Sequence, residues 1–547
     1  MTEGPGLSVA FRKYLQEKAL GEGFCSDITI HAFGKDYALH KFVLYRSSYF
    51  VTLSSDLWNN DNGCTTPSAE KCNPVYNIEL GSNFTQEIFE LALGQLYGIN
   101  VKPMELKKMF SLLELASFLD IPDLSEECSK HLIQAIDETT VHEIAILVCS
   151  FEFVQAVKDV RQACEMFLCI ESTDLADEIW LKIPCDMLVR VTTSDSFFIK
   201  NEWERCQFLI KLYRKVSKLL IEIRKNYTEI SRDAIEDPQE TASRENNNRD
   251  EESATCTIVY EDSVEEKVRN LDKMLKTIQE GLNSGIHYMH MTPTELSTLW
   301  DEADHFGEPL IHPECLQEGL WDLTRLQAMI SQLNDDSPPS LGLIEMHNPG
   351  EVVKRALYSV NTEEVRRYPS HNPGSNTTEW TRYPPMRIGV ELPGLFELTE
   401  CQGVYTKPFF YAGSAWAIFV WRSSNKSSPP ELSLYRRIQS KAITSTSKSV
   451  SWDSFITIKT THIRWDEEVE QNMPTLDLHE RYLDERRKTS LYVKIKALSN
   501  TRYDFSKFKL QPHSSRNWNV KKLQGLQEYP AFNKKGSTRF VLSLCVS

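Results

Sequence analysis

The sequence predicts a multidomain α+β protein, and three observations predict it. A short period-two pattern at Ile28–Leu39 leads directly into helical spacing. Helical periodicity then persists, with one break, as far as residue 332. From Pro384 onward, β-branched and aromatic residues gather in short runs parted by turns. At 547 residues the chain has room for about three to four domains. It is 41% hydrophobic with a formal charge of −16, so it can build cores but has no basic field to steer phosphate. That argues against direct nucleic-acid binding.

Taken in order, residues 1–23 place Phe11, Tyr14, Leu15 and Ala19 on one helical face. The stretch Phe24 to Phe50 follows. Ile28-Thr29-Ile30 and Tyr37-Ala38-Leu39 flank a Phe33-Gly34-Lys35-Asp36 turn, which is a hairpin pattern. His40-Lys41 then opens a helix at Phe42-Val43-Leu44-Tyr45, and Ser47-Ser48 starts another at Tyr49-Phe50. The polar stretch from Asn59 to Pro74 has the composition of an exposed loop. Leu106, Met109, Leu113 and Ala116 stand at helical spacing, Ile121-Pro122 stops that helix, and Asp123 with Glu126 has the spacing of a cap on the next.

These parts, read as the strings SDITI, GKDYALHKFVL, SSYF, LYG and LLELASFLDIPDLSEEC, resemble a BTB/POZ domain, which we place at residues 1–138. The resemblance implies homodimerisation, with Asp27 and Lys41 as a charged pair near the dimer interface and Phe11, Tyr14 and Leu15 packing across it. It also implies a cullin-binding surface on the helix Tyr49, Phe50 and Leu53 begin and Leu57-Trp58 ends. Cullin-binding members often carry a hydrophobic–x–Glu triplet there. This chain reads Trp58-Asn59-Asn60, so the apolar anchor is present and the glutamate is not.

Helical spacing continues from Val141 through Val157, and IPCDMLVRVTTSDSFFIKNEWERCQF resembles the BACK-type extension that follows many BTB domains, here residues 139–227. Glu202 in that stretch reads as a residue that caps or bridges helices. Residues 228–262 are acidic and nearly devoid of apolar content, the composition of a disordered linker. Residues 263–332 return to helix, and 333–383 read as loop. His287, His290, His305, His312 and Cys315 fit no standard zinc spacing and read as core or surface residues. From 384 to 547 the runs Met386–Glu391, Ala415–Trp421, Leu432–Ile438, Ser454–Thr460, Leu491–Leu498 and Phe540–Val546 suggest an antiparallel β-sandwich-like domain. PPMRIGVEL, FFYAGSAWAIFVWR and GIHYMHMTPTEL resemble the germ cell-less-like family, which has the same order of parts.

Thirteen scattered cysteines without framework spacing point to reduced thiols and to a nuclear or cytoplasmic protein. No apolar run reaches about 18 residues, so no membrane span is expected. The N-terminus has neither signal-peptide character nor Gly at the second position for myristoylation. No nucleophile arrangement, phosphate loop or cofactor motif is visible, so the chain is not expected to be an enzyme or to hold a cofactor. The BTB/POZ resemblance implies a substrate-recruiting adaptor of a cullin-three RING ubiquitin ligase. Its partners are the cullin scaffold, a protein substrate and a second copy of itself. Phe409, Phe410 and Tyr411 are candidates for substrate contact, with a core role as the plain alternative. The competing expectation is a homodimeric nuclear scaffold or transcriptional co-repressor.

Overall fold

The computed structural model describes residues 14–55, 73–151, 157–233, 250–304 and 306–334. Beyond these it describes 343–345, 369–370, 379–381, 383–393, 403–405, 409–421, 431–437, 484, 491–497, 506–509 and 537–546. Two compact units are present. The first holds residues up to Phe167 with Lys182–Pro184, and the second holds Leu168–Leu181 with Cys185 onward.

In the first unit a π-helical segment α1 (Leu15–Gly21) precedes strands β1 (Ile28–Ala32) and β2 (Lys35–Leu39). Ala32 pairs with Lys35, so the turn is the two residues Phe33-Gly34, both at positive φ (53° and 72°). Such a mirror-image turn matches the twist of the strands it joins, and Gly34 adopts it without strain. The turn is therefore tighter than the four residues predicted, with Lys35 and Asp36 already in the ladder. Ile28, Ile30, Ala32, Tyr37 and Leu39 all point into the core. Helices α2 (Lys41–Leu44) and α3 (Ser48–Leu53) follow, the second capped by Ser47, whose Oγ accepts the Phe50 N–H. Strand β3 (Val75–Asn77) runs parallel to β1, giving the order β2-β1-β3.

Helices α4 (Gln86–Leu96), α5 (Leu106–Phe118), α6 (Pro122–Gln134), α7 (Val141–Ser150) and α8 (Val157–Ile170) complete this part of the chain. They bury Phe89, Leu93, Leu113, Leu124, Leu132 and Ile144. Asp123 does not cap α6. Pro122 occupies the first helical position after Ile121, so the cap falls before the acid, and Asp123 instead accepts a 2.8 Å bond from Arg46 Nη2.

The second unit begins with α9 (Asp177–Trp180), α10 (Cys185–Thr193), α11 (Glu202–Asp233) and α12 (Asp250–Gly285). Glu202 meets His287 just past the end of α12, and Arg224 meets Asp272 at 2.8 Å, so α11 and α12 run antiparallel. Parts of the expected disordered linker are helical: α11 reaches Asp233 and α12 begins at Asp250, and residues 234–249 lie outside the described residues. A 3₁₀ turn (Tyr288–His290), α13 (Pro293–Trp300) and α14 (Pro313–Ser331) follow.

The region 333–383, expected to be loop, contains three short strands: β4 (Leu343–Glu345), β5 (Pro369–Ser370) and β6 (Glu379–Thr381), ordered β4-β6-β5. Leu343-Ile344 and Trp380-Thr381 supply the residue types that pair well. Then come β7 (Met386–Pro393), β8 (Gly403–Tyr405), β9 (Phe409–Tyr411), β10 (Ser414–Trp421), β11 (Glu431–Arg437), β12 (Leu491–Ala497), β13 (Ser506–Lys509) and β14 (Ser537–Val546). One antiparallel sheet is ordered β13-β12-β14-β7. A second is ordered β11-β10-β8, with β9 also pairing to β10. The predicted run Ser454–Thr460 lies outside the described residues.

Candidate functional site

The first unit presents two faces. On one, Asp27 is exposed and its Oδ1 accepts the backbone N–H of Lys41 at 2.8 Å, which holds the start of α2. Phe24 and Phe42, both against His40, are 60% and 71% exposed, and Tyr14, just before α1, is 49% exposed. Leu15 is half-buried on α1, and Phe11 lies outside the described residues. His40 holds this face together from below. Its Nε2–H donates to the Phe24 carbonyl at 2.9 Å, and its ring meets Phe42 edge-on at 5.8 Å. A carbonyl can only accept, so Nε2 carries the proton and Nδ1 accepts from the Tyr97 hydroxyl at 2.9 Å. That same hydroxyl accepts the His40 backbone N–H at 3.0 Å, and burial pushes its pKa up to about 12. Tyr97 stands in the LYG string. Phe24 and Phe42 were not singled out from the sequence, since apolar residues beside buried strands read as core.

The other face is α3. Tyr49 and Leu53 are half-buried and Val51 is exposed. Tyr49 packs on Phe118 with ring centroids 5.2 Å apart, and Phe118, 48% exposed, continues to Phe84 at 6.3 Å. Phe50 points the other way and is only 1% exposed, so it secures the helix and presents nothing to a partner. Leu57, Trp58 and Asn60 lie outside the described residues.

In the second unit Phe409 and Phe410 are half-buried, while Tyr411 is 3% exposed. Tyr411 packs near the His290 ring at 5.8 Å, and its carbonyl accepts the Trp416 indole N–H at 2.8 Å. The turn to β10 is Ala412-Gly413, both at positive φ. Tyr411 is thus a core residue, and only the two phenylalanines retain surface.

His287, His290 and Glu202 form a structural cluster. Glu202 is 2% exposed. Burial pushes its carboxyl up, but Arg387 and Arg205 outweigh this and hold it well below the usual carboxylate range. His287 and His290 donate to the Pro385 and Pro384 carbonyls, each at 2.8 Å. Burial, together with Arg387, pushes their imidazoles down to about 3 and about 4, so both are neutral. Cys315 Sγ donates to the Asn283 carbonyl, His312 is exposed, and His305 is outside the described residues. Among the described residues no group of three or more His, Cys, Asp or Glu could hold a metal ion. No helix among them is long and apolar enough to cross a membrane.

The first unit combines a β2-β1-β3 sheet with helices α4–α6, the Asp27–Lys41 contact and the α3 face, and residues 17–136 match the BTB/POZ domain family. Those residues of the chain therefore carry a BTB/POZ domain. Among curated proteins it is similar to germ cell-less protein-like 1 of human (26% identical) and of mouse (27%), and to human germ cell-less protein-like 2 (26%), each over 132 residues. Each match covers 24% of this chain and 23% of the relative, so it spans under a quarter of either length and rests on the BTB/POZ region.

Proposed function

We propose that this protein is a non-catalytic, substrate-recruiting adaptor of a cullin-three RING ubiquitin ligase, homodimeric through its BTB/POZ domain and working in the nucleus or cytoplasm. The observation that carries the reading is the BTB/POZ domain itself, residues 17–136, whose members commonly serve as such adaptors or as scaffolds. Its two faces suit two partners. Phe24 and Phe42 around Asp27–Lys41 fit a second copy, and the aromatic ridge Tyr49–Phe118–Phe84 on and beside α3 fits a cullin.

In this reading the helices from residue 139 are a BACK-like extension, and the strands beyond 384 form a sandwich-like domain that captures substrate. Burial of β7 and β14 on both faces supports a layered arrangement: Arg387 and Val541 lie on one face, Ile388, Leu542 and Leu544 on the other. Phe409 and Phe410 are the substrate-facing candidates.

Calorimetry of the full chain against a cullin N-terminal fragment tests this. Trp58→Ala removes binding while the far-ultraviolet spectrum stays unchanged, because interface energy concentrates in a few aromatic anchors worth about 2 kcal/mol or more each. Asn60→Glu tightens it by restoring a charge-assisted bond. No heat up to high micromolar cullin would hand the case to the second reading, a dimeric nuclear scaffold or co-repressor, which Asn60 in place of the glutamate favours.

A further inference from the structure

Residues Pro384 to Gly389 are held in the second unit as a peptide is held by its receptor. Each backbone or side-chain polar group that distinguishes the segment has a partner. His290 Nε2 donates to the Pro384 carbonyl and His287 Nδ1 to the Pro385 carbonyl, both at 2.8 Å. Arg387 places Nε 2.6 Å from Glu202 Oε1 and Nη2 2.8 Å from Oε2, a two-pronged fit that selects a guanidinium over an ammonium. Its remaining N–H groups donate to the Gly285 carbonyl at 2.7 Å and the Thr193 carbonyl at 2.8 Å. Gly389 N–H donates to the Ile199 carbonyl at 2.9 Å, and a Cβ at this position would stand 2.5 Å from that oxygen, so glycine is required.

The geometry points to a peptide-recognition site formed by α10, α11, the end of α12 and the 287–290 turn, whose ligand class is an extended Pro-Pro-x-Arg-x-Gly segment, here filled by the chain's own Pro384–Gly389. Seven receptor residues read the segment: Thr193, Asp195, Ile199, Glu202, Gly285, His287 and His290. None of them belongs to the sheet, so the recognition is separable from strand pairing. The sheet that begins with β7 is consequently latched to the helices by this segment, and is not a module swinging on the connection from 333 to 383. Arg539 on β14 adds a second anchor, donating to the Ile170 carbonyl at 3.1 Å and to Asp174 at 2.8 Å while lying 4.8 Å over the Phe198 ring.

The test uses the full-length chain with a specific protease site inserted between Gly350 and Glu351. After cleavage the two pieces of the otherwise unchanged protein co-elute on size exclusion under native conditions. In the Arg387→Ala background they separate at protein concentrations at least tenfold higher. A synthetic peptide of residues 381–393, in excess, releases the C-terminal piece, whereas the same peptide with Arg387→Ala does not. Separation of the unmodified pieces on cleavage would overturn the inference, as would equal retention with Arg387→Ala. If that variant does not fold, the two peptides still decide, and equal effects from both count against the site.

Discussion

Arg387 of β7 grips both carboxylate oxygens of Glu202, the first residue of α11, across 185 residues of chain, and neither side chain is more than 2% exposed. Arg205 lies 3.8 Å from the same carboxylate, and Asp195 lies 3.4 Å from Arg387, so two cations and two anions close a neutral group. Desolvating such charges is costly, and their mutual attraction offsets the cost only while all are present.

Glu202→Gln therefore removes one anion and leaves two buried guanidinium groups facing a neutral amide. The expected loss is about 3–5 kcal/mol in the unfolding of the second unit. The transition of the first unit should not move. Adding Arg387→Gln should bring the loss below the sum of the two single changes, because the second removal relieves the charge the first one stranded. Calorimetric scans of the full chain check this, and strict additivity would show that the two residues do not act as a pair.

The same cluster sets a pH dependence. His287 and His290 are pushed down to about 3 and about 4 in the folded chain, chiefly by burial. Their unfolded counterparts titrate at about 6.5. The unfolded chain thus binds protons first as pH falls, so the stabilising contribution is full above about 6.5 and drains away toward 4, by up to about 1.4 kcal/mol per pH unit for each ring. Glu202, also depressed, adds loss in the same direction at still lower pH. Urea midpoints between pH 7 and 4.5 should fall for the second unit, and His290→Asn should flatten the slope. A midpoint that stays level over this range rules the mechanism out.

Much of the first unit was legible because its signals are local. Gly34 between two alternating runs announces a hairpin, and Ser47 three residues before Phe50 announces a helix start. The latch was not legible. Glu202, His287 and Arg387 meet only after three distant segments fold, and half of their partners are backbone carbonyls, which carry no side-chain signature. Composition also misled at 250–262, where a helix and a disordered tether draw on the same residues. The latch changes how deletions are read, too. Removing 384–547 removes Arg387 and strands Glu202, so any loss of a partner would report unfolding of the second unit as well as the loss of Phe409 and Phe410.

Dimerisation can be separated from folding at Asp27. Its Oδ1 accepts the Lys41 N–H, a bond that asparagine can also accept. Asp27→Asn should change the stability of the first unit by no more than about 0.5 kcal/mol. It should weaken self-association at least tenfold, about 1.4 kcal/mol. Asp27→Ala should do both, losing about 1 kcal/mol of helix capping in addition. Sedimentation equilibrium of the full chain reads the association and urea unfolding reads the stability, and an asparagine variant that dimerises as tightly as the parent would remove the charge from the interface.

The last prediction concerns Tyr97, whose hydroxyl is the centre of the network beneath the Phe24–Phe42 face. It accepts the His40 N–H at 3.0 Å and donates to Nδ1 at 2.9 Å, and His40 is 6% exposed. Tyr97→Phe keeps the ring, its volume and its 5.9 Å edge contact with His40. What is lost is one oxygen, and with it two hydrogen bonds of a buried histidine. Leaving such groups unsatisfied costs about 1–3 kcal/mol. In a unit of this size that lowers the midpoint by about 2–4 °C for each kcal/mol. The ring nitrogen Nδ1 then has no donor to fix the tautomer, so the Nε2–H bond to the Phe24 carbonyl weakens and Phe24 loses its fixed position. Self-association should therefore weaken together with stability, whereas a surface change such as Lys35→Ala should alter neither. Paired melting and sedimentation data on the two variants check it. A Tyr97→Phe protein that melts lower but dimerises unchanged would show that His40 supports the fold without shaping the face above it.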